Sequence, residues 1–423
     1  MPIDLGLQRV TRLLSLLGNP HFRWKSIHIA GTNGKGSICA YLSSILTQSK
    51  IKNGKFTSPH LIRRSDCITI NDEYVSNALF EEVESKINKL NAMNELKCTE
   101  FEILTCCAFE IFKILQIEVA VIEVGLGGRL DATNVLPPYP IRDDYNGGVI
   151  ATGIAKIGLD HENILGSTLR EIATEKAGII KENIPCIVDG TNDNDSLQVF
   201  KEISDLKHSK LYVMNENDND LPFNAKSLHS PLRGSYQLSN LLVSLKIIEL
   251  ISKIFNITQE SVKKGVLEVK WPGRLQELKL QYCKTKPSVR VLLDGAHNKS
   301  ATIELSKYLA SNVRNQNESD KGLIFIMAIT KGKKIDALLA PLIKPQDTVI
   351  LTTFGKVDGM PWISCCDPES LKNEYLKYTK NVEIQKNQVD AIKFAIEKPQ
   401  KNIVICGSLY LVGDYLRMHE NNI

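Results

Sequence analysis

The sequence predicts two α/β domains, an N-terminal domain built on a mostly parallel sheet with a phosphate-binding loop and a smaller C-terminal α/β domain. Three observations carry this. The chain has 423 residues, more than one hydrophobic core usually fills. Apolar strand-like runs alternate with longer amphipathic stretches, the pattern of βα units around a parallel sheet. A glycine loop, GTNGKGS at residues 31–37, lies between an apolar run and a helix start.

The first element of the N-terminal domain, residues 1–270, is the apolar run Ser26-Ile27-His28-Ile29-Ala30, read as a strand. Ile38-Cys39-Ala40-Tyr41-Leu42 begins a helix. The glycines between them let the backbone approach polyphosphate, and successive amides point at its oxygens. The helix N-terminus adds positive potential and Lys35 a mobile cation. The loop departs from the standard Walker string: its first glycine would fall on Ile29, and Gly36 separates Lys35 from Ser37. A tight turn with an accidental lysine is the bland alternative, but the flanking strand and helix favour nucleotide binding.

Further strands are expected at 119–124 and 149–154, and apolar residues recur at helical spacing over 77–90, 99–115 and 238–254. Residues 137–148 and 192–224 concentrate Asn, Asp, Pro and Gly, so both read as surface excursions without chemistry. Near Trp271-Pro272-Gly273 the helical pattern stops. New short strands follow at 289–293, 323–328, 348–352 and 402–406, separated by helical stretches that include 300–311 and 369–378. Residues 274–423 therefore read as a Rossmann-like α/β domain, with the active site expected between the two domains.

Composition narrows the function classes. Hydrophobic residues are 43% and charged residues 24% of the chain, and no run approaches the roughly 18 apolar residues of a spanning helix. The N-terminus, Met1-Pro2-Ile3-Asp4-Leu5-Gly6, lacks the basic and apolar regions of a targeting segment, so no membrane partner and a cytoplasmic location are expected. Ten cysteines occur without CxxC spacing, two of the pairs adjacent at Cys106-Cys107 and Cys365-Cys366, and read as reduced thiols. A net charge of +4 with no basic stripe interleaved with aromatics argues against nucleic acid.

The second chemical segment is Glu123-Val124-Gly125-Leu126-Gly127-Gly128-Arg129-Leu130-Asp131-Ala132-Thr133-Asn134. An acid ending an apolar strand is placed like the carboxylate that helps hold Mg²⁺ beside a phosphate loop. Alone, Glu123 would be a solvent-facing strand end, and the glycine-rich turn after it reverses that reading. Residues 158–181 then place His161 in a loop and Lys176 near the end of a helical stretch.

Taken with TSPHL at 57–61, WPGR at 271–274, DGAHN at 294–298 and CGSLYL at 406–411, the ordered set resembles the folylpolyglutamate synthase and dihydrofolate synthase family, two-domain cousins of the Mur ligases. The resemblance runs from Asp4 to about Leu416. It implies that Asn33, Gly34, Lys35, Gly36 and Ser37 bind the phosphates of ATP. It also implies that Asn240, Arg274, Asp294 and His297 serve its remaining contacts. Ser58 and Glu123 would hold a first Mg²⁺, and Glu123, His161 and a carbamylated Lys176 a second. Carbamylation is chemically apt there, because CO₂ added to a neutral amine replaces a cation by an oxygen anion suited to Mg²⁺. It requires surroundings that disfavour the ammonium form.

Two similarities bear on the substrate. DLGLQRV at 4–10 resembles the DLGLERV segment of members that accept dihydropteroate, and Cys98-Thr99-Glu100-Phe101-Glu102 resembles their LTYFE-like segment. The implied pterin pocket comprises Gly6, Leu7, Arg9, Val10, Thr99, Glu100, Phe101, Leu130, Asp131 and Ala132. GLGGRLDATN also resembles dihydrofolate synthases more than the GGELDSTN of dedicated eukaryotic folylpolyglutamate synthases. Asn33 and Arg129 favour the same side. One departure is that Asp66-Cys67 stands where the family commonly has Glu-Arg, an arginine associated with glutamate recognition. Ser408 is a candidate for the incoming glutamate, with Arg63 or Arg64 in compensation. The implied reaction joins L-glutamate to 7,8-dihydropteroate through an acyl phosphate, catalysed by Lys35, Glu123, His161 and Lys176 in a monomer. Alternatives are a folylpolyglutamate synthase or bifunctional enzyme, a nucleotide-gated binding protein, and a Mur-type ligase.

Overall fold

Strand β1 (Lys25–Ala30) has every residue but its first buried, as expected of a central parallel strand covered on both faces rather than one with a wet face. The computed structural model describes residues 5–141, 146–284, 286–314, 322–333, 335–398 and 402–421. Asp4, in the DLGLQRV segment, and residues 142–145, in the first predicted excursion, lie outside the described residues.

The chain divides into two compact units. The first gathers Met1–His60, Ser65–Pro231 and Tyr236–Trp271. Its eight-stranded sheet has the order β4-β3-β2-β5-β1-β6-β7-β8. The remaining strands are β2 (Asn53–Phe56), β3 (Ile68–Ile70), β4 (Glu73–Tyr74), β5 (Val119–Glu123), β6 (Gly148–Ile154), β7 (Cys186–Asp189) and β8 (Leu211–Met214). Only the β2–β3 and β3–β4 pairings are antiparallel, so the sheet is mostly parallel as the alternating pattern predicts. The expected strands at 119–124 and 149–154 are β5 and β6.

Helices cover this sheet: α1 (Gln8–Leu16), α2 (Lys35–Gln48), α3 (Asn77–Met93), α4 (Glu100–Ile114), α5 (Glu162–Leu165), α6 (Leu169–Ala177), α7 (Asn194–Leu206), α8 (Gln237–Ile251) and α9 (Gln259–Glu268). Local chemistry sets several starts. Thr99 and Glu102 form a reciprocal capping box at α4, and Thr168 with Glu171 does the same at α6. One core layer packs α1, α3 and α4 through Leu13, Leu14, Phe80, Phe109 and Phe112. Another packs α6 and α7 through Ile172, Ala173, Val199 and Phe200.

Residues 192–224 are not the surface excursion expected. Asp193 caps α7 and accepts from the Ser196 amide, the helix buries Val199 and Phe200, and β8 adds an edge strand paired with β7. One narrow apolar stripe suffices when the rest of a helix faces water, and the Asn and Asp flanking that stripe are cap and turn residues.

The second unit gathers Leu61–Arg64, Leu232–Ser235 and Pro272–Ile423. Its six-stranded sheet has the order β13-β12-β11-β14-β10-β9. The strands are β9 (Gln276–Leu280), β10 (Val289–Leu293), β11 (Ile324–Met327), β12 (Thr348–Leu351), β13 (Asn381–Ile384) and β14 (Ile403–Cys406). All pair in parallel except β9 with β10. The helices are α10 (Lys299–Asn312), α11 (Ile335–Leu339), α12 (Pro368–Tyr375), α13 (Gln388–Ile396) and α14 (Leu409–Asn421). Among the described residues no helix is long and apolar enough to cross a membrane.

Candidate active site

Three neighbouring strands of the first unit end side by side, and each end continues into a predicted site segment. Ile29 of β1 pairs with Glu123 of β5, and Phe56 of β2 pairs with Ile122. The phosphate loop after β1, Ser58 after β2 and Glu123 at the end of β5 are thereby brought together. Carboxyl ends of parallel strands are where open α/β sheets place their ligands. The far side is closed by β6, whose extension offers the Lys156 carbonyl to the amides of Thr32 and Asn33 at 2.9 and 3.1 Å.

The loop leads directly into α2. Gly34 precedes the helix with φ of 98°, a left-handed conformation that glycine adopts without steric cost. A side chain there would also strike Asn240, since a Cβ would lie 2.2 Å from its Oδ1. Gly36 is pressed by the Trp271 indole in the same way, with Cζ2 2.2 Å from an added Cβ. Gln237 donates to the Ser37 hydroxyl at 3.2 Å and accepts from Asn240 at 3.1 Å. The N-terminal turn of α8 and Trp271 thus form the wall of the loop. Lys35 sits at the first position of α2, its Nζ 3.7 Å from Glu123 Oε1 and donating to the Thr32 carbonyl at 3.3 Å.

The turn after Glu123 is braced from within. Asp131 Oδ2 accepts from the Leu126 amide at 2.8 Å, and Oδ1 accepts from the Thr133 amide at 3.0 Å and from the Thr133 hydroxyl. Burial pushes the Asp131 carboxyl up, and these donors oppose the shift. Both oxygens are therefore engaged by the protein's own groups, and the residue is 2% exposed. The turn also grips the end of α6: the Arg129 amide donates to the Glu175 carbonyl at 2.8 Å, and its guanidinium pairs with the Glu175 carboxylate at 2.9 Å.

That grip places Lys176 beside the phosphate loop. The side chain is buried, and its ammonium is pushed down to about 7, first by burial and then by the like charge of Lys35, against Asp160 and Asp131. His161 precedes α5 with φ of 53° and is exposed. Among the described residues no three of histidine, cysteine, aspartate and glutamate gather to hold a metal ion. The expected set contains only two such residues, Glu123 and His161. Its other donors are the Ser58 hydroxyl and Lys176, and an amine does not suit a cation that prefers oxygen. A carbamate would supply that oxygen, and a lysine held near neutrality by its surroundings is the kind that can form one. The donor chemistry therefore fits Mg²⁺ once Lys176 is modified.

The predicted substrate segments meet on the same unit. Arg9 Nε donates to Glu102 Oε2 at 3.0 Å, and Glu102 also accepts from the Thr99 amide at 2.7 Å. Phe101 stacks on Phe56 with ring centroids 6.0 Å apart and lies against the Gly125 backbone. The 5–10 segment, Thr99 to Phe101 and the Glu123 turn are thus linked through Arg9 and Phe101. Gly6 and Leu7 are half-buried, Glu100 is exposed and Leu130 is half-buried. Val10 and Ala132 are core residues, at 0% and 5% exposure.

Arg274, Asp294, His297 and Ser408 belong to the second unit. Asp294 accepts from the Leu275 and Ala296 amides at 2.8 and 2.9 Å, and Gly295 donates to the Gly273 carbonyl at 2.9 Å. WPGR and DGAHN are therefore joined by their backbones. His297 Nδ1 lies 2.8 Å from the Gly295 carbonyl oxygen. Ser408 is 1% exposed, and its hydroxyl accepts from the Tyr410 amide at 3.2 Å. Arg63 pairs with Glu420 at 3.0 Å, and Arg64 packs on Gly359.

Sequence reasoning missed Gln237, Glu102, Thr32 and Lys156 as parts of this arrangement, and gave Trp271 no role at the loop. Thr32 lies within GTNGKGS, Glu102 within the 98–102 segment and Gln237 three residues before Asn240, so position beside a recognised residue was a usable signal. Nothing in the one-dimensional pattern pointed to the Lys156 carbonyl.

Known proteins share this architecture. The family described as "Dihydrofolate synthetase, C-terminal domain" matches residues 276–418. The chain is 43% identical to the dihydrofolate synthetase of Saccharomyces cerevisiae, over 100% of both chains. It is 39% identical to the "Probable dihydrofolate synthetase" of Schizosaccharomyces pombe, over 99% of both. Among solved structures, the folylpolyglutamate synthase of Mycobacterium tuberculosis complexed with ADP and AMPPCP superposes with a TM-score of 0.81 at 26% identity. That match covers 97% of this chain and 94% of the other.

Proposed function

The chain belongs to the family of dihydrofolate synthetases and folylpolyglutamate synthases, and on that premise we propose that it ligates L-glutamate to 7,8-dihydropteroate at the expense of ATP. The observation that carries this is the end-to-end similarity to a dihydrofolate synthetase. This reading is supported by the neighbouring ends of β1, β2 and β5, which lead into the Lys35 loop, Ser58 and Glu123, and by Lys176 near the end of α6, whose ammonium feels the charge of Lys35.

The dihydropteroate carboxylate attacks the γ-phosphorus of ATP, the bond to the bridging oxygen breaks, and ADP leaves. Lys35 is the cation at the loop, placed to exchange its Glu123 partner for phosphate oxygen. The amine of glutamate then attacks the acyl phosphate, the carbon–oxygen bond to phosphate breaks, and the nitrogen loses a proton to give the amide. Holding both reactants replaces an unfavourable encounter in water. Ser58, Glu123, His161 and a carbamylated Lys176 would hold Mg²⁺, which supplies charge neutralisation on the polyphosphate. Arg9, Phe101 and the Glu123 turn would frame the pterin, with Asn240, Arg274, Asp294 and His297 serving the nucleotide and Ser408 the glutamate.

The test is ATP-dependent incorporation of labelled glutamate with 7,8-dihydropteroate in one reaction and tetrahydrofolate in another. Product with dihydropteroate alone is expected. Product with tetrahydrofolate would move the assignment to a polyglutamylating or bifunctional enzyme, and product with neither would overturn the substrate assignment.

A further inference from the structure

A histidine sits in the middle of the central strand, beneath the site rather than in it. His28 is 0% exposed in β1, where Ile27 and Ile29 beside it are ordinary core residues. Its Nε2 lies 2.8 Å from the Thr133 hydroxyl oxygen, 105 residues away in sequence. Thr133 is also fully buried, and its hydroxyl donates to Asp131 Oδ1. Asp131 in turn holds the Leu126 amide through its other oxygen. A continuous line of hydrogen bonds therefore runs from the strand, through Thr133 and Asp131, to the turn that begins one residue after Glu123.

The proton positions follow from the inventory of donors. A threonine hydroxyl has one proton, and here it goes to the carboxylate, so the imidazole must donate from Nε2. The ring's Nδ1 is then a lone pair. Among the described residues it has no hydrogen-bond partner. Leaving a buried polar atom unpaired costs free energy that a leucine or valine at position 28 would avoid. Burial and the charge of Lys181 hold the ring neutral, which the single-donor arrangement needs. A local violation of core chemistry on a line that ends at the catalytic turn points to function rather than packing.

We propose that His28 and Thr133 are positioning residues of the ligase: together they lock the Asp131 carboxylate onto the Leu126 amide and so fix the turn that presents Glu123. The inference rests on the ligase reading for its activity assay, but its structural half stands independently. The His28 and Thr133 side chains bond to each other and to Asp131 rather than to the phosphate loop, so loop chemistry and turn chemistry should separate.

The variants are Thr133→Val, which keeps shape and removes the hydroxyl, and His28→Leu, which keeps bulk and removes the donor. Thr133→Ser and His28→Gln keep the donors. Each is assayed where its circular dichroism shows it fully folded. The two disruptive variants should lower kcat by roughly 10- to 100-fold, the scale of losing a hydrogen bond to a charged group. ATP affinity measured by calorimetry should stay within about 3-fold. The conservative variants should retain most of kcat, and His28→Leu combined with Thr133→Val should be no worse than the poorer single change. Hydrogen exchange at the Leu126 amide should accelerate in both disruptive variants. Unchanged kcat and unchanged Leu126 exchange in folded Thr133→Val would overturn the proposal, as would losses that multiply in the double variant. Wild-type protein that forms no product would instead overturn the ligase assignment, with the exchange measurement still deciding the positioning role.

Discussion

Removing the amine of Lys176 tests the chemistry of the site most directly. The ammonium is pushed down to about 7 from an ordinary 10.5, by burial first and Lys35 second. At pH 7 an ordinary lysine is neutral in roughly one molecule in three thousand, whereas this one is neutral in about half. The population able to attack CO₂ therefore rises on the order of a thousand-fold. Carbamylation also reverses the local electrostatics, because the charge of Lys35 that opposes an ammonium attracts a carbamate. At a fixed CO₂ pressure the carbamate should appear as pH rises through about 7, rather than only near 10.5. The assay is a carbon-13 NMR titration with labelled CO₂ from pH 6 to 9, run on wild type and Lys176→Met. The comparison variant is required because Lys181, donating to Asn134, is also lowered, to about 8. A carbamate signal lost in Lys176→Met, with activity falling on CO₂ removal and returning on its restoration, is the expected result. No signal at pH 8 under saturating CO₂, or the same signal in both proteins, would refute the reasoning.

Two further changes probe other parts of the first unit. Gly36→Ala puts a methyl 2.2 Å from the Trp271 indole, where ordinary contact begins near 3.4 Å; overpacking of this kind costs about 1–3 kcal/mol. ATP affinity should fall by about 10-fold, with partial recovery when Trp271→Leu makes room, and an unchanged calorimetric affinity would show that the indole yields freely. His21 is buried and pushed down to about 4 from 6.5. The unfolded chain therefore binds the extra proton between those values, and stability should rise with pH across that window by about 3 kcal/mol. Urea unfolding at pH 4.5 and 7 should show a slope at least this steep, because burial also holds His28 neutral, and His21→Phe should remove only its own share of it; an equally steep slope in the variant would assign the effect elsewhere.

The parts of the site that were legible in the sequence are those where chemistry and chain direction coincide. A strand, a glycine loop and a helix start identify Lys35 because the backbone geometry that cradles phosphate is local, and Glu123 is legible because a strand end and a glycine turn adjoin it. What escaped depends on contacts distant in sequence. Ser37 meets Gln237 across 200 residues and His28 meets Thr133 across 105, and no periodicity encodes such pairings. Helix α7 escaped because its apolar stripe is narrow and its caps are the same Asn and Asp that mark loops, and β9 because an edge strand with alternating exposure can be written in Gln, Glu and Lys. Asp131 shows a different limit. Its place in LDATN suited a direct substrate contact, yet both its oxygens hold the protein's own backbone and Thr133. A residue type in a motif states which chemistry is available. Only the partners of each oxygen decide whether that chemistry faces the substrate or holds the groups that do.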